Sequence, residues 1–378
     1  MKFLDCITIN PKISLKKGKL YPFIEMGNVS TIYRNPIDIE YKPFNSGVKF
    51  ENGDTVIARI TPCLQNGKRF YCKDIGVGFG STEYLVFRPK NETVDNLYLY
   101  YFMKTESINQ MMIKSMTGAT GRQRVNNRIF NEIEVNFPDI DIQRKIGKIL
   151  SAYDDLIENN QKQIKLLEEA SQRLYKEWFV DLHFPDYEST PIIDGVPEGW
   201  KIEKLVDIAD VQYGYAFNGS FFNSKNNGTP IIRIRNIPNG TTNDYTTEKA
   251  DKQYLVSNGD IVVGMDGEFH INSWSGDTAY LVQRTCKLSP KNSLMKGWLL
   301  QAIYEPIKFF EKTVVGATVS HLGKKHIDTI TLLTAPDELY RPFHIYFQKR
   351  QLLLNQNRRL SEARDRLLPK LMSRELEV

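Results

Sequence analysis

Between Asp141 and Phe184 the chain reads DIQRKIGKILSAYDDLIENNQKQIKLLEEASQRLYKEWFVDLHF, without a proline and with one early glycine, Gly147. From Ile142, steps of four and three land on Ile146, Ile149, Tyr153, Leu156, Asn160, Gln163, Leu167, Ser171, Leu174 and Trp178. A 4-3 seam sustained this far marks a coiled coil. About 40 residues rising 1.5 Å each make a rod of roughly 60 Å. A single rod cannot bury its stripe alone. The only comparable pattern runs from about Leu339 to Met372. Two long helices paired antiparallel are therefore expected, with the rest of the chain hung on them.

What hangs on them is duplicated. From Met1 to Pro138, short apolar runs are broken by Gly, Asn and Pro. Strands are expected at Tyr21 to Met26, Thr55 to Ile60, Arg69 to Cys72, Tyr84 to Phe87 and Glu132 to Asn136, with a helical patch from about Asn96 to Ser115. The segment from Lys201 to Pro336 follows the same plan. PFIEMGNV at Pro22 matches PIIRIRNI at Pro230, and Asn52-Gly53-Asp54 matches Asn258-Gly259-Asp260. Pro89-Lys90 matches Pro290-Lys291, and Gly118-Ala119-Thr120 matches Gly316-Ala317-Thr318. Pro138-Asp139 and Pro336-Asp337 then open the two rods, as helix N-caps. Five matches in one order, each half followed by a rod, imply an internal duplication of the form head, rod, head, rod. Leu156 and Asn160 correspond to Leu353 and Asn357, both pairs placed on the seam. The two asparagines read either as buried polar pins that set register or as two solvated positions in a weak seam.

The chain of 378 residues has material for two or three domains and an ordinary charge content, with a net charge of +5. The four cysteines, Cys6, Cys63, Cys72 and Cys286, make no CxxC or CxxH spacing, which argues against a disulfide or zinc framework. No apolar run has membrane-spanning length, and MKFLDCITIN lacks a signal-peptide core, so no membrane and a cytoplasmic location are expected.

The first rod is not the basic part. The first rod balances about seven acids against seven bases from Asp141 to Val180. Between Glu106 and Glu132, by contrast, no acid occurs, while Lys114, Arg122, Arg124 and Arg128 do. Between Glu311 and Asp328 there is again none, with Lys312, His321, Lys324, Lys325 and His326. Basic, acid-free loops at equivalent places in two repeats suit phosphates and base edges. Gln123, Asn126 and Asn127 accompany the arginines of the first window, and Ser320 precedes His321 in the second. Arg59 and Arg69, and Arg233, Arg235 and Asn236, complete the candidate DNA readers, because Arg grips guanine and Asn or Gln grips adenine in two-point fashion.

No catalytic signature stands out along the chain. GVGFG (Gly76 to Gly80) lacks both the last glycine and the following helix of a dinucleotide loop, and reads as a tight hairpin. There is no Walker loop, no [DN]PP[YF] tetrad, no acid pair followed by ExK or DxK, and no metal-ligand spacing among the five histidines. Nothing in the chain is expected to catalyse.

The order head, rod, VPEGW, head, rod resembles the S (specificity) subunit of type I restriction–modification systems over essentially the full length. The resemblance rests on P-D-x-x-x-Q at Pro138 to Gln143, the LxxN-containing rods, VPEGW at Val196 to Trp200, and the NGD strands. It implies an α+β fold, with two α/β target-recognition domains separated by a pair of long antiparallel coiled-coil helices in a pseudo-twofold internal repeat. Target-recognition domains are expected at 1–140 and 185–336, with helical spacers at 141–184 and 337–378. The resemblance further implies double-stranded DNA, two modification (methyltransferase) subunits and restriction/translocase subunits as partners. S-adenosylmethionine, ATP and Mg would belong to those partners, with no cofactor in this chain. The competing reading is a non-catalytic coiled-coil scaffold that joins proteins without reading DNA. The second rod departs from the pattern: PDELYRPFHIY has no Gln, and Pro342 sets the helix start near itself.

Overall fold

In the computed structural model, residues 1–313 and 321–378 are described. They form two compact units, Met1–Asn160 with Asn357–Val378, and Gln161–Gln356. Each unit holds one head together with half of each long helix.

In the first unit, β1 (Ile7–Ile9), β5 (Thr55–Ala58), β6 (Arg69–Tyr71) and β8 (Tyr84–Pro89) form an antiparallel sheet in the order β1-β8-β5-β6. The β-branched and aromatic runs TVIA and YLVF are buried on both faces, so they read as continuous apolar strands rather than alternating ones. A second sheet has the order β3-β2-β7-β4, from β2 (Leu20–Ile24), β3 (Glu40–Pro43), β4 (Val48–Phe50) and β7 (Gly78–Gly80). GVGFG is thus largely strand. A Cβ on Gly80 would stand 2.5 Å from the Ile24 carbonyl oxygen, so close strand contact demands that glycine. Helices α1 (Asn96–Lys104) and α2 (Glu106–Lys114) cover one core built on Phe3, Leu85, Phe87, Leu99, Met112 and Phe130.

The second unit repeats this plan. Strands β9 (Ala209–Tyr213), β14 (Ile261–Gly264), β15 (Ile271–Ser273) and β17 (Thr285–Pro290) take the order β9-β17-β14-β15, the counterpart of β1-β8-β5-β6. The other sheet runs β10-β12-β11-β16-β13, from β10 (Phe222–Asn223), β11 (Thr229–Ile232), β12 (Tyr245–Thr246), β13 (Leu255–Val256) and β16 (Ala279–Leu281). Its one parallel pair, β11 with β16, matches β2 with β7. Helices α4 (Lys296–Ala302) and α5 (Tyr304–Thr313) replace α1 and α2. The duplication extends to strand order and direction.

The first rod is helix α3, Ile140–Tyr175, closed by a π-turn over Lys176–Val180 and by Leu182 at positive φ. Its first turn hangs on the Asp139 carbonyl, which accepts from Ile142 and Gln143, both at 3.0 Å. The second rod is α6, Arg341–Met372, preceded by a 3₁₀ turn at Asp337–Tyr340. Pro342 lies in its first turn, where no intrahelical bond is lost.

Each half-pair is antiparallel. In the first unit Ile146 and Leu150 pack with Leu371 and Leu368, and Asp154 pairs with Arg364. In the second, Glu168 accepts from Arg350 at 2.6 Å, and Trp178 meets Phe343 edge-on. Of the two readings of the asparagines, the structure has the pin: Asn160 Nδ2 donates to Asn357 Oδ1 at 2.9 Å, with both residues buried.

The expected seam is displaced by one residue along the early part of α3. Ile149 and Leu156 are 36% and 53% exposed, while Leu150, Ile157 and Ile164 are buried. An apolar count missed this because the true face carries Gln143, Asp154 and Glu158, all buried and all bonded to the head. Gln143 accepts from the Asp95 amide (3.0 Å) and donates to the Thr93 and Pro138 carbonyls (2.9 and 2.8 Å). Tyr101 donates to Asp154 at 2.5 Å, and Arg34 Nε to Glu158 at 2.8 Å. Leu353 is buried as expected, but its counterpart Leu156 is not. Glu132–Asn136 also differs from expectation. It forms only a bridge, Lys2 with Glu134, where the second unit has a true pair, Lys201–Lys204 with Thr331–Thr334.

Replacing Asn357 with Leu removes the acceptor for a buried amide and is expected to cost about 1–3 kcal/mol. Replacing both asparagines with Leu should recover most of that loss. Urea unfolding of the full chain tests this, and equal losses in the single and double variants would contradict it.

Candidate nucleic-acid interface

The first acid-free window leaves α2 and doubles back on itself. Thr117 and Arg124 exchange both backbone bonds at 2.9 Å, and Gly118 and Gly121 take the positive φ that the reversal needs. The returning arm is fastened to the continuation of β5. The Val125 amide donates to the Arg59 carbonyl (2.9 Å), and the Thr61 amide to the Gln123 carbonyl (2.9 Å). Val125 is buried beneath it. This makes an edge whose side chains alternate between core and solvent.

The second window reaches the same place. The Leu322 amide donates to the Met265 carbonyl at 2.8 Å, and Leu322 is buried like Val125. Asp266 and His321 form an antiparallel bridge, as Ile60 and Arg124 do. Gly316, Ala317, Thr318 and Ser320 lie outside the described residues.

The candidate readers divide by environment. Lys114, Arg122, Asn127, Arg128 and Lys325 are exposed. Arg124 is exposed too, but chelated: its Nε and Nη2 donate to Glu83 at 2.7 to 2.9 Å. Those hydrogen bonds hold the Glu83 carboxyl below its usual range. Arg235 forms a similar pair with Asp244, at 2.6 and 3.1 Å. Burial pushes the Asp244 carboxyl up, yet Arg235 and Asn236 together hold it below its usual range. Arg233 lies with its guanidinium 5.6 Å from the Phe222 ring, and Lys324 donates to Asp328 at 2.9 Å. Gln123 and Arg59 are half-buried, and Arg59 donates to the Val125 carbonyl at 3.3 Å.

Two side chains do local work. Asn126 accepts from the Arg128 amide and caps the short turn after it (3.1 Å). Asn236 accepts from the Arg233 amide at 2.8 Å.

Arg69 is not a surface reader. It is 6% exposed, donating to the Met103 carbonyl at 2.6 Å and to Asn109 at 2.8 Å. Its position at the start of β6 turns it toward the corner between α1 and α2, and burial lowers the affinity of its guanidinium for the proton. A strand residue faces either side by parity, and the sequence alone did not settle which.

The carboxylates that hold the exposed bases, Glu83, Asp244 and Asp266, were not visible as candidates, nor was Arg284. Arg284 donates to Asp266 at 2.5 Å and sits at positive φ on the turn before β17. The repeat alignment held the one available signal, since Arg284 occupies the place of Glu83. Among the described residues, no group of three or more His, Cys, Asp or Glu could hold a metal ion, and no helix is long and apolar enough to cross a membrane. The four cysteines are free thiols.

Comparison with known proteins agrees with this duplicated architecture. The family model for the type I restriction modification DNA specificity domain matches twice, at residues 6–169 and 197–338. A type I restriction enzyme specificity subunit of Methanocaldococcus jannaschii, MjaIX, is 28% identical over 308 residues, covering 77% of this chain and 71% of that protein. The EcoAI specificity subunit of Escherichia coli is 25% identical, covering 77% and 67%. The crystal structure of the type I restriction–modification S subunit from M. genitalium superposes with a TM-score of 0.56 at 14% identity, covering 98% of this chain and 94% of that one.

Arg69→Met is expected to destabilise the chain by about 1–3 kcal/mol, because the Met103 carbonyl and Asn109 lose a buried donor. It should leave DNA sequence preference unchanged. A variant of wild-type stability with altered preference would return Arg69 to the reading surface.

Proposed function

We propose, from the premise that this chain belongs to the type I restriction modification DNA specificity family, that each of its heads reads one half of a bipartite DNA target. The long helices fix the length of the unread gap. The observation that carries this reading is one fold built twice, each copy pinning the described end of an acid-free basic window to its sheet at the same place and each fastened to both long helices. Arg122, Arg128 and Lys114, exposed on the first edge, would meet phosphates. Arg124 and Arg235, each chelated by a carboxylate, and Arg284, held by Asp266 through Nη1, are stiff enough to meet base edges.

The chain acts in the cytoplasm as a non-catalytic subunit, and the chemistry resides in its complex. Two modification subunits would supply S-adenosylmethionine-dependent methylation, and restriction/translocase subunits would supply ATP- and Mg-dependent cleavage. Docking positions for the modification subunits are suggested by the displaced seam. It leaves Ile149 and Leu156, one heptad apart, exposed on α3 in the first unit. On α6 in the second unit, Ile345 and Leu352 are 59% and 57% exposed, again one heptad apart. A pair spaced in this way offers an apolar stripe to a partner helix.

Two sets of measurements test these points. Exchanging residues 1–140 for those of a relative should change one half-site in the methylation pattern and leave the other. Inserting one heptad at matched positions in both helices, beside Asn160 and Asn357, should lengthen the gap by about 3 base pairs, since seven residues rise about 10 Å. Unchanged half-sites after the exchange would favour the scaffold reading. Leu156→Glu and Leu352→Glu should each remove one modification subunit from the complex, and the double variant both, as read by mass photometry. Retention of two copies in the double variant would exclude these stripes as docking sites.

A further inference from the structure

Among the described residues, matching backbone bonds pin each acid-free window to its sheet at the same point in the two units. In the first, the Arg59 amide donates to the Glu83 carbonyl (2.8 Å), the Val125 amide donates to the Arg59 carbonyl (2.9 Å), and Ile60 bridges Arg124. In the second, the Met265 amide donates to the Arg284 carbonyl (2.9 Å), the Leu322 amide donates to the Met265 carbonyl (2.8 Å), and Asp266 bridges His321. Three positions are thereby equated: Ile60 with Asp266, Glu83 with Arg284, and Arg124 with His321.

The backbone is shared and the charges are rearranged. The first unit carries apolar, acid, base, and the second carries acid, base, base. Each arrangement still resolves into the same device. One recessed carboxylate, Glu83 or Asp266, each with a side chain 23% exposed, grips bases about half exposed: Arg124 at 46%, Arg284 at 51% and His321 at 49%. Glu83 takes Nε and Nη2 of Arg124. Asp266 takes Nη1 of Arg284 through one oxygen and Nδ1 of His321 through the other, both at 2.5 Å. Among the described residues this leaves His321 Nε2 and the Nε–Nη2 edge of Arg284 without protein partners.

We propose that these three positions are the base-reading point of each head, with Arg124 in the first half-site and Arg284 with His321 in the second as specificity-determining residues. Glu83 and Asp266 are positioning residues. A guanidinium fixed by a carboxylate has already lost much of its rotamer freedom, so it loses less on meeting a base. The flat fork left over, Nη1–Nη2 in Arg124 and Nε–Nη2 in Arg284, suits guanine O6 and N7, which an ammonium cannot engage in two-point fashion. The matched bonds of the frame run from amide to carbonyl, with Arg59 Nη2 adding a donation to the Val125 carbonyl in the first unit, and none of them uses a side chain at these three positions, which are free to differ. This inference rests on the reading that each head recognises half of a DNA target.

The test uses the full chain assembled with its modification subunits and reads the methylated adenines and their flanking sequence. Arg124→Lys and Arg284→Lys keep the charge and lose the fork. Each is expected to relax one base position of one half-site by about ten- to a hundred-fold, the range for losing a two-point contact, with the salt dependence of binding unchanged. Glu83→Gln should relax the same position as Arg124→Lys, Asp266→Asn the same position as Arg284→Lys, and Glu83→Asp should restore part of the discrimination. Melting curves matching wild type accompany each variant. Strict half-sites in the two Lys variants, or uniform weakening on all sequences, would overturn the proposal by making these residues phosphate contacts or structural ion pairs. If exchanging a whole head also left both half-sites unaltered, the DNA-reading function itself would fail, which is a different outcome.

Discussion

A 36-residue helix with one apolar stripe must bury that stripe, and the manner of burial organises everything else. In the first unit α3 meets both the antiparallel segment of α6 and the head, and much of what it buries is charged. Asp154 receives Arg364 and Tyr101, while Asp155 and Glu158 receive Arg34. Burial pushes the Glu158 carboxyl up, with Arg34 opposing it, and raises the cost of keeping that charge inside. Such pairs add little net stability over an apolar seam, since desolvation offsets the attraction. What they add is geometry. A guanidinium buried against two carboxylates has one docking position, whereas leucines slide.

The two units reach this fastening by exchanged means. Gln143 bonds three backbone groups around the start of α3, whereas just before α6 Tyr340, the last residue of the 3₁₀ turn, accepts from the Ala335 amide at 2.7 Å. The second rod, without a Gln, ties down the chain that leads into it by this local bond. Close approach of head helix to rod is likewise allowed by a glycine in each unit, but on opposite partners. Gly147 on α3 admits the start of α1, and a Cβ there would stand 3.2 Å from Leu97 Cβ. Gly297 on α4 admits the backbone of α6, and a Cβ there would stand 2.1 Å from the Phe343 carbonyl oxygen. Conserving a crossing does not require conserving which side yields.

These exchanges mark what a reading of residues could and could not reach. The repeat, the two rods, the equivalence of Asn160 with Asn357 and both acid-free windows were legible, because each is a pattern of residue types at fixed spacing, whereas the burial that makes the two asparagines a pin was not. The seam register was not, since Gln143, Asp154 and Glu158 count as surface in any apolar tally and become interior only once Asp95, Tyr101 and Arg34 are brought to them. Arg69 failed for the same reason in reverse. It looks like a free base, and tertiary packing supplies the Met103 carbonyl that absorbs it. Polar side chains take their role from partners distant in sequence, and periodicity carries no record of those.

The strength of the duplicated design lies in separating frame from content. At the pinned edges the bonds are made by amides and carbonyls, and the buried residue beneath, Val125 or Leu322, is simply apolar. The side chains at 83 and 284 take no part in these backbone bonds, so acid stands at one and base at the other while the matched bonds stay the same. A carboxylate recruited at a third position then restores the grip on whichever base is present. Had the edge been held by side-chain bonds, as the α3 seam is, a change of content would have changed the frame as well. The interior of the rod pair is built from specific charges, and the candidate reading edge from backbone. That division allows an edge to vary while the helices it is carried on stay the same.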